Sequence, residues 1–328
     1  MHISTSNGLI TFLVFLVGNF FYVWLAKQLN IIDKPNERSS HTTNTVRGLG
    51  IMFSLYFALG TWYFECFNTL LTLGLLLASV VGFADDRITL SASLRFVAYL
   101  ISVVLVAFSI QGFNDLPLAI MGVSAVLILG VINMYNFMDG VNGMSLIYAF
   151  VFFLSVVFLY RFSPSYGSDS VLVYVILLIV ISCFWFNIRL RALAFLGDAG
   201  SIFLGLLISY FVCNLIIVSG SISYLLLISV YAVDSVGTII LRLLKKQNIF
   251  DAHRLHVYQM LANEYEWGHL KVASFYGILQ VVINGLYIML FPESDVYFII
   301  ILILLTIGYL ILRVNVFHDF SFTKTTQD

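Results

Sequence analysis

Long apolar runs alternate with short polar segments along the whole chain. A helix needs roughly 17–25 predominantly apolar residues to cross a lipid bilayer, and eleven runs reach that length. They cover residues 8–29, 48–64, 67–84, 93–111, 117–134, 144–161, 170–187, 200–219, 222–244, 272–291 and 296–313. We therefore expect an all-α fold, a polytopic bundle of about eleven transmembrane helices that forms a single membrane-embedded domain over residues 1–328.

The basic residues indicate how this bundle is oriented. Fifteen of the 16 Lys and Arg residues fall in or beside the connections after the first, third, fifth, seventh and ninth helices or near the C-terminus, and Arg161 is the exception. Basic loops remain in the cytoplasm when membrane helices insert. We expect these connections and the C-terminus to be cytoplasmic, and the N-terminus to lie outside.

Composition supports a membrane protein and excludes an ordinary soluble one. Hydrophobic residues make up 61% of the chain, charged residues make up 10%, and the mean hydropathy is +1.00. The net charge of −1 says little about partners, and we expect contact with the lipid bilayer and none with nucleic acid. Cys66, Cys183 and Cys213 are odd in number and lack metal-ligand spacing, which predicts no disulfide framework.

Polar chemistry is concentrated on the basic side of the predicted bundle. Five polar segments fall there, at residues 33–41, 85–87, 133–143, 195–201 and 251–259, whereas the opposite connections carry no recurring pattern. A transporter or flippase would place ionisable groups near the middle of the membrane and reach both faces. A one-sided site instead favours an enzyme whose active-site loops lie at the inner leaflet.

Four of the acidic residues in these segments are candidates for catalysis: Asp85, Asp86, Asp139 and Asp198. Four carboxylates on one face suit one or two divalent cations shared with phosphate groups, and magnesium is the natural candidate. Residues 197–201 open a predicted helix, whose first N–H groups would attract phosphate. The alternatives are a helix N-cap at Asp198 and a solvated helix end at Asp85 and Asp86.

The basic segments complement these acids. Arg254 can form two parallel hydrogen bonds to a diphosphate, while His253 and His256 can donate to sugar or base oxygens. A zinc site is disfavoured, because the two histidines have no Cys or third His nearby to complete it. Further candidates for substrate binding are Lys34, Arg38, Arg47, Asn133, Asn136, Asn142 and Asp234. The first three also serve to keep positive charge inside, and Asp234, within the ninth helix, is either functional or buried against a partner.

Taken in order, the five segments resemble those of the polyprenyl-phosphate N-acetylhexosamine-1-phosphate transferases, a group of the glycosyltransferase family 4 type. Within it the chain is similar to the O-antigen-initiating undecaprenyl-phosphate transferases. The resemblance implies that Asp198 binds Mg²⁺, with Mn²⁺ as an alternative. It also implies that Asp85 or Asp86 orients or deprotonates the lipid phosphate, and that the loop containing His253 and His256 recognises the nucleotide sugar.

The reaction implied by the resemblance is transfer of N-acetylhexosamine-1-phosphate from a UDP-sugar to undecaprenyl phosphate, with release of UMP. This would initiate a cell-surface polysaccharide or O-antigen at the cytoplasmic face of the bacterial inner membrane. The sequence leaves the oligomeric state open, with a homodimer as one option. It also leaves open the sugar, the polymer and whether a covalent intermediate forms.

Two departures from the family pattern stand out. Asn142 occupies a position where the family usually has an acid, and residues 43–50 lack the usual Pro and third Gly. A catalytically reduced relative is therefore an alternative to an active enzyme. If the amide is tolerated, we expect Asn142→Asp to change the rate only modestly, because it adds charge to an acidic site.

The distribution of basic residues predicts the topology. A reporter fused after Asp328 should read as cytoplasmic, and one inserted at Ser165 should read as external, because the positive loops stay inside. Enzymatic reporters in intact cells provide the measurement. Finding both reporters on the same side would contradict the eleven-helix arrangement.

Overall fold

Each of the eleven predicted apolar runs is helical in the computed structural model, which describes residues 4–35, 43–162, 170–248 and 253–316. The helices are α1 (Thr5–Gln28), α2 (Ile51–Tyr63), α3 (Thr69–Ile88), α4 (Ala92–Ser109), α5 (Leu118–Met138), α6 (Met144–Phe162), α7 (Ser170–Ser182), α8 (Phe184–Asn187), α9 (Gly197–Ser219), α10 (Ser229–Leu244), α11 (Val257–Asn263), α12 (His269–Leu290) and α13 (Asp295–Ile311). A 3₁₀ segment, Ile222–Ile228, leads into α10. The prediction of an all-α membrane bundle is confirmed.

Ten helical segments within the described ranges are long and apolar enough to cross a membrane, when α7 is counted together with α8 and the 3₁₀ segment together with α10. The eleventh predicted span is the short helix α2, whose 13 residues extend only about 20 Å. It nevertheless runs between the two ends of the bundle. Near its start Gly50 N–H donates to the Leu196 carbonyl, and just past its end Phe64 packs against Tyr174, near the start of α7.

Helix α9 lies at the centre of the bundle. It is apolar on every side, and its residues from Ala199 to Leu215 are all buried, mainly against α3 and α5. A helix that is hydrophobic all round is stable only when neighbours cover it on all sides. Its first turn is therefore held firmly at the end of the bundle where the predicted polar segments meet.

Among the helix ends that differ from their predicted positions, three lie at the polar segments 85–87, 133–143 and 195–201. Helix α3 continues to Ile88 and α5 to Met138, each four residues past the predicted end, while α9 begins at Gly197 and not at residue 200. The apolar pattern does not include the last turns of α3 and α5 or the first turn of α9, because these turns carry polar side chains, yet they are helical in their backbone hydrogen bonding. The candidate side chains of these segments consequently project from rigid helix ends.

A small sheet joins the first polar segment to the start of α9. Strands β1 (Ile32–Asp33) and β2 (Thr45–Val46) pair in antiparallel fashion, and Val46 forms a further parallel bridge with Ala194. The Val46 carbonyl accepts from Phe195 N–H at 2.8 Å. These backbone contacts fix Arg47, the residue after β2, beside the loop that enters α9.

Candidate active site

The adjacent carboxylates Asp85 and Asp86 have different partners. Asp86 accepts from the backbone N–H of Asp198 at 2.9 Å through one oxygen, and its other oxygen pairs with Arg47 at 2.5 Å. Asp85 pairs with Arg95 at 2.6 Å and accepts from Leu90 N–H at 2.7 Å. Both side chains are nearly buried, so the pair ties α3 to its neighbours.

Gly197 makes the contact between Asp86 and Asp198 possible. Its φ of +69° is in the left-handed region, and a Cβ at this position would overlap the Asp86 carboxylate. The Asp198 N–H is therefore engaged by Asp86 and is not among the groups available to a phosphate. Asp198 is also not the N-cap, because it lies in the first turn of α9 and Leu196 occupies the cap position.

Asp139 and Asp198 lie where two polar cavities adjoin. The larger cavity, about 610 Å³, lies between α4, α5 and the loop of residues 253–259. The smaller cleft, about 230 Å³, lies between Arg47, the loop before α9 and His269. Both are lined by Asp139 and Asp198, so a ligand that bridges the two cavities would pass these two carboxylates.

The carboxyl group of Asp139 is a weaker acid than that of an ordinary aspartate. Burial raises its pKa to about 7, and the nearby Asp198 carboxylate acts in the same direction. An ordinary aspartate titrates near pH 4. Asp139 is therefore partly protonated at neutral pH, and a cation or a cationic side chain arriving at the site would favour its charged form.

His256 and His253 reach the larger cavity from the loop before α11. The His256 ring is 2% exposed, and its Nε2 atom has no hydrogen-bond partner among the described residues. For His253, burial and the neighbouring cationic groups lower the pKa to about 4. His253 is therefore neutral at pH 7 and would act as a hydrogen-bonding group.

Asp234 forms hydrogen bonds with the start of α11, directly after this loop. Its carboxylate accepts from the N–H groups of Val257 and Tyr258 at 2.9 and 3.3 Å and from the Tyr276 hydroxyl at 2.6 Å. It lies 3.7 Å from His256 Nδ1 and is 3% exposed. Of the two roles expected for this intramembrane acid, the geometry agrees with burial against a partner, since the carboxylate caps the start of α11.

Comparison with known sequences agrees with this arrangement. The sequence model for glycosyl transferase family 4 matches residues 68–216, which include the acids of α3, the end of α5 and the start of α9. A relative from Bacillus subtilis (strain 168), the probable undecaprenyl-phosphate N-acetylglucosaminyl 1-phosphate transferase, is 26% identical over 72% of this chain and 71% of its own length.

Over residues 68–216 the chain is similar to glycosyl transferase family 4. The expectation of an enzyme that transfers a sugar phosphate is thereby confirmed, as is its multi-pass membrane architecture.

Only some of the other residues predicted to bind substrate line the two cavities. Asn133 lines the larger cavity, while Asn136 lines both cavities and accepts from the Ser201 hydroxyl at 2.8 Å. Arg254 has two buried guanidinium nitrogens without a hydrogen-bond partner among the described residues. Lys34 is exposed and does not line either cavity, and Arg38 lies outside the described residues.

Several lining residues were missed by reasoning from the sequence. His269, at the start of α12, and Asn187, at the end of α8, both line the smaller cleft, and Arg95 and Tyr99 of α4 line the larger cavity. None of these four belongs to one of the five polar segments. Gln259, by contrast, lies in the last polar segment and lines both cavities. Its membership of that segment was the one sequence feature that could have indicated its position.

Asn142 has a role that only an amide can perform. Its Nδ2 donates to the carbonyls of Arg189 and Leu190 at 3.0 and 3.4 Å, and the residue is 5% exposed. An ionised carboxylate has no proton to donate and would face two carbonyl oxygens. The amide therefore joins the turn after α5 to the turn after α8, and it need not be a disabled acid.

We expect Asn142→Asp to be more harmful than the modest rate change expected from the sequence. The substitution leaves buried acceptors unsatisfied, so the protein should lose about 1–3 kcal/mol of stability and melt at a lower temperature in detergent. Asn133→Asp is the matched control, because the hydrogen bond that this exposed amide donates among the described residues is to Leu129 of its own helix. Equal melting temperatures for the two variants would contradict this role for Asn142.

The raised pKa of Asp139 predicts a titration near pH 7. Difference infrared spectra of the purified protein, recorded without substrates between about pH 5.5 and about pH 8.5, should show a protonated carboxyl band that disappears as pH rises. Asp139→Asn should lose the part of this change that is centred near pH 7, whereas Asp115→Asn, at an exposed site, should retain it. An identical titration in Asp139→Asn would assign the band to another acid.

Proposed function

We propose that this enzyme transfers N-acetylhexosamine-1-phosphate from a UDP-sugar to undecaprenyl phosphate and releases UMP. One observation carries the proposal. Two carboxylates, Asp139 and Asp198, lie at the junction of two polar cavities, and an apolar groove adjoins the larger cavity. A polar donor and a lipid acceptor can therefore meet at the same pair of acids. The name of the Bacillus relative supports the same acceptor and sugar class.

The apolar groove supports a lipid acceptor in particular. It has a volume of about 670 Å³, lies between α5, α10 and α13, and is lined mainly by aliphatic side chains. Asn133, Phe137 and His253 line both the groove and the larger cavity. A polyprenyl tail in the groove would thus bring its phosphate into the larger cavity, within reach of the acids.

The residues at the junction fit a magnesium ion that is shared with substrate. Mg²⁺ prefers hard oxygen ligands and is usually held by one or two carboxylates together with substrate phosphates and water. Asp139 and Asp198 provide two such carboxylates, and the described residues contain no cluster of three or more acidic, His or Cys side chains that would enclose a metal alone. When bound there, magnesium supplies charge neutralisation for the diphosphate of the donor.

The chemistry requires positioning more than proton transfer. A phosphate oxygen of the acceptor attacks the β-phosphorus of the UDP-sugar, the bond from that phosphorus to the bridging oxygen breaks, and UMP leaves with that oxygen. A phosphate monoester has a second pKa of about 6, so the attacking oxygen is already ionised at neutral pH. Preorganised charge around the phosphates provides most of the catalysis in such transfers.

The protein's own residues divide these tasks. Arg47, held by Asp86, presents positive charge to the smaller cleft, and His256, whose buried Nε2 has no hydrogen-bond partner among the described residues, lines the larger cavity. Asp85 and Asp86 act as supports in this scheme, because their oxygens are engaged by Arg95, Leu90, Arg47 and Asp198. A base at either position is not required when the acceptor is ionised.

The need for a soluble nucleotide sugar determines the location and orientation that we propose for the enzyme. A nucleotide sugar is soluble and charged, so the end of the bundle with the polar cavities must face the compartment that supplies it. The clustering of basic residues at this end favours the cytoplasm. We therefore assign the enzyme to the bacterial inner membrane with a cytoplasmic site, where it initiates a cell-surface polysaccharide such as O-antigen.

An assay of UMP release tests this function. Purified protein with undecaprenyl phosphate, Mg²⁺ and a panel of UDP-N-acetylhexosamines should release UMP with at least one sugar, and Asp198→Asn should reduce the rate by about 10²-fold or more. Asp115→Asn, an exposed acid outside the site, is the matched control and should keep full activity.

Two outcomes would contradict the proposal. Absence of UMP release with every sugar would favour a catalytically reduced relative or a flippase of lipid-linked sugars. An Asp198→Asn variant with normal rate and unchanged magnesium dependence would restrict Asp198 to a structural role.

A further inference from the structure

Arg313 is a buried cation just after α13, a helix most of whose residues are not buried. It follows the last turn of α13, in the short π-helical segment Leu312–Val316, and is 0% exposed. Within α13 itself only Tyr297 and Tyr309 are buried. A charged side chain at the end of a membrane helix is costly to bury, so its hydrogen-bond partners indicate what it stabilises.

The guanidinium of Arg313 contacts the loop that carries the two active-site histidines. Its Nη2 donates to the carbonyl of Leu255, the residue before His256, and its Nη1 lies 2.9 Å from the sulfur of Met260 in α11. The side chain thus holds both the end of the loop and the short helix after it. The planar fork of arginine suits this contact, since separate N–H groups point at separate acceptors.

The same guanidinium is connected to Asp234 through one hydroxyl. Arg313 Nη2 donates to Thr238 Oγ1 at 2.9 Å, and the Thr238 hydroxyl donates to Asp234 at 3.3 Å. Asp234 in turn accepts from the N–H groups of Val257 and Tyr258. The loop is therefore held from two directions, by Asp234 at the start of α11 and by Arg313 at the carbonyl of Leu255.

We propose that Arg313 is a positioning residue for the reaction, which fixes His256 at the wall of the larger cavity without touching substrate. This inference rests on the proposed function for its effect on turnover. Its structural part, that Arg313 orders residues 255–260, stands independently. Helix α13 also lines the apolar groove through Phe298 and Leu302, so the same helix borders the lipid groove and restrains the histidine loop.

Hydrogen exchange tests the structural part directly. In Arg313→Met, amides of residues 255–260 should exchange at least tenfold faster than in wild type, because the loop loses one of its two supports. Thr306→Val, in α13, is the matched control, since the hydrogen bond that this exposed hydroxyl donates among the described residues is to Leu302 of its own helix. It should leave exchange unchanged. Unaltered exchange of residues 255–260 in Arg313→Met would overturn the proposal.

Kinetics test the functional part. Arg313→Met should lower kcat/KM for UMP release by at least tenfold, and Arg313→Lys should recover part of it, since lysine keeps the charge but not the fork. In a double-mutant cycle with His256→Ala, the combined loss should be no larger than that of His256→Ala alone. Fully additive losses would overturn positioning through His256.

The two proposals fail in distinguishable ways. If wild type releases no UMP with any UDP-sugar, the proposed function fails, while the exchange experiment still decides whether Arg313 orders the loop. If wild type is active and Arg313→Met has normal kcat/KM, the proposed function stands and the positioning role is overturned.

Discussion

The hydrogen bond from the Asp198 N–H to the Asp86 carboxylate is the contact on which the site depends. It joins the end of α3 to the start of α9, and the second oxygen of Asp86 pairs with Arg47 after β2. Burying a carboxylate in this way is tolerable only when its charge is compensated. Because Arg47 and a backbone N–H provide that compensation, three separate parts of the chain must meet at one point, and the Asp198 side chain is held beside Asp139.

The acids of this chain therefore fall into two groups with different tasks. Asp85, Asp86 and Asp234 are engaged by cations or by N–H and O–H donors of the protein, and they fix helices and loops. Asp139 and Asp198 line the junction of the cavities. All five are aspartates near helix ends or within a membrane helix, so residue type and spacing alone did not separate the acids that support the fold from those that line the cavities. Only their hydrogen-bond partners do.

Hydrophobic periodicity was sufficient to predict the eleven apolar segments, because burial in lipid imposes the same requirement on every span. It misplaced the ends of α3, α5 and α9 by three or four residues, since polar side chains facing a cavity interrupt the apolar pattern without interrupting the helix. His269 and Asn187 had no local pattern and reach the cleft only through packing of α12 and α8. Likewise, the sequence identified Arg313 only as one of the basic residues on the predicted cytoplasmic side. Its contacts with Leu255 and Thr238 span more than 50 residues of sequence and leave no local pattern.

The proposed reaction explains why so few side chains would need to remain available for substrate. An acceptor phosphate that is ionised at neutral pH needs no strong base, so a site for this transfer can commit most of its ionisable groups to holding the rest in place. Asn142 follows the same reasoning: an amide that ties two turns together improves the fixed geometry of the smaller cleft, whereas an acid at that position would add charge beside Asp139 and Asp198 and lose both hydrogen bonds. Under the proposed function, a fixed arrangement of the cavity walls would take the place of a larger set of reactive groups.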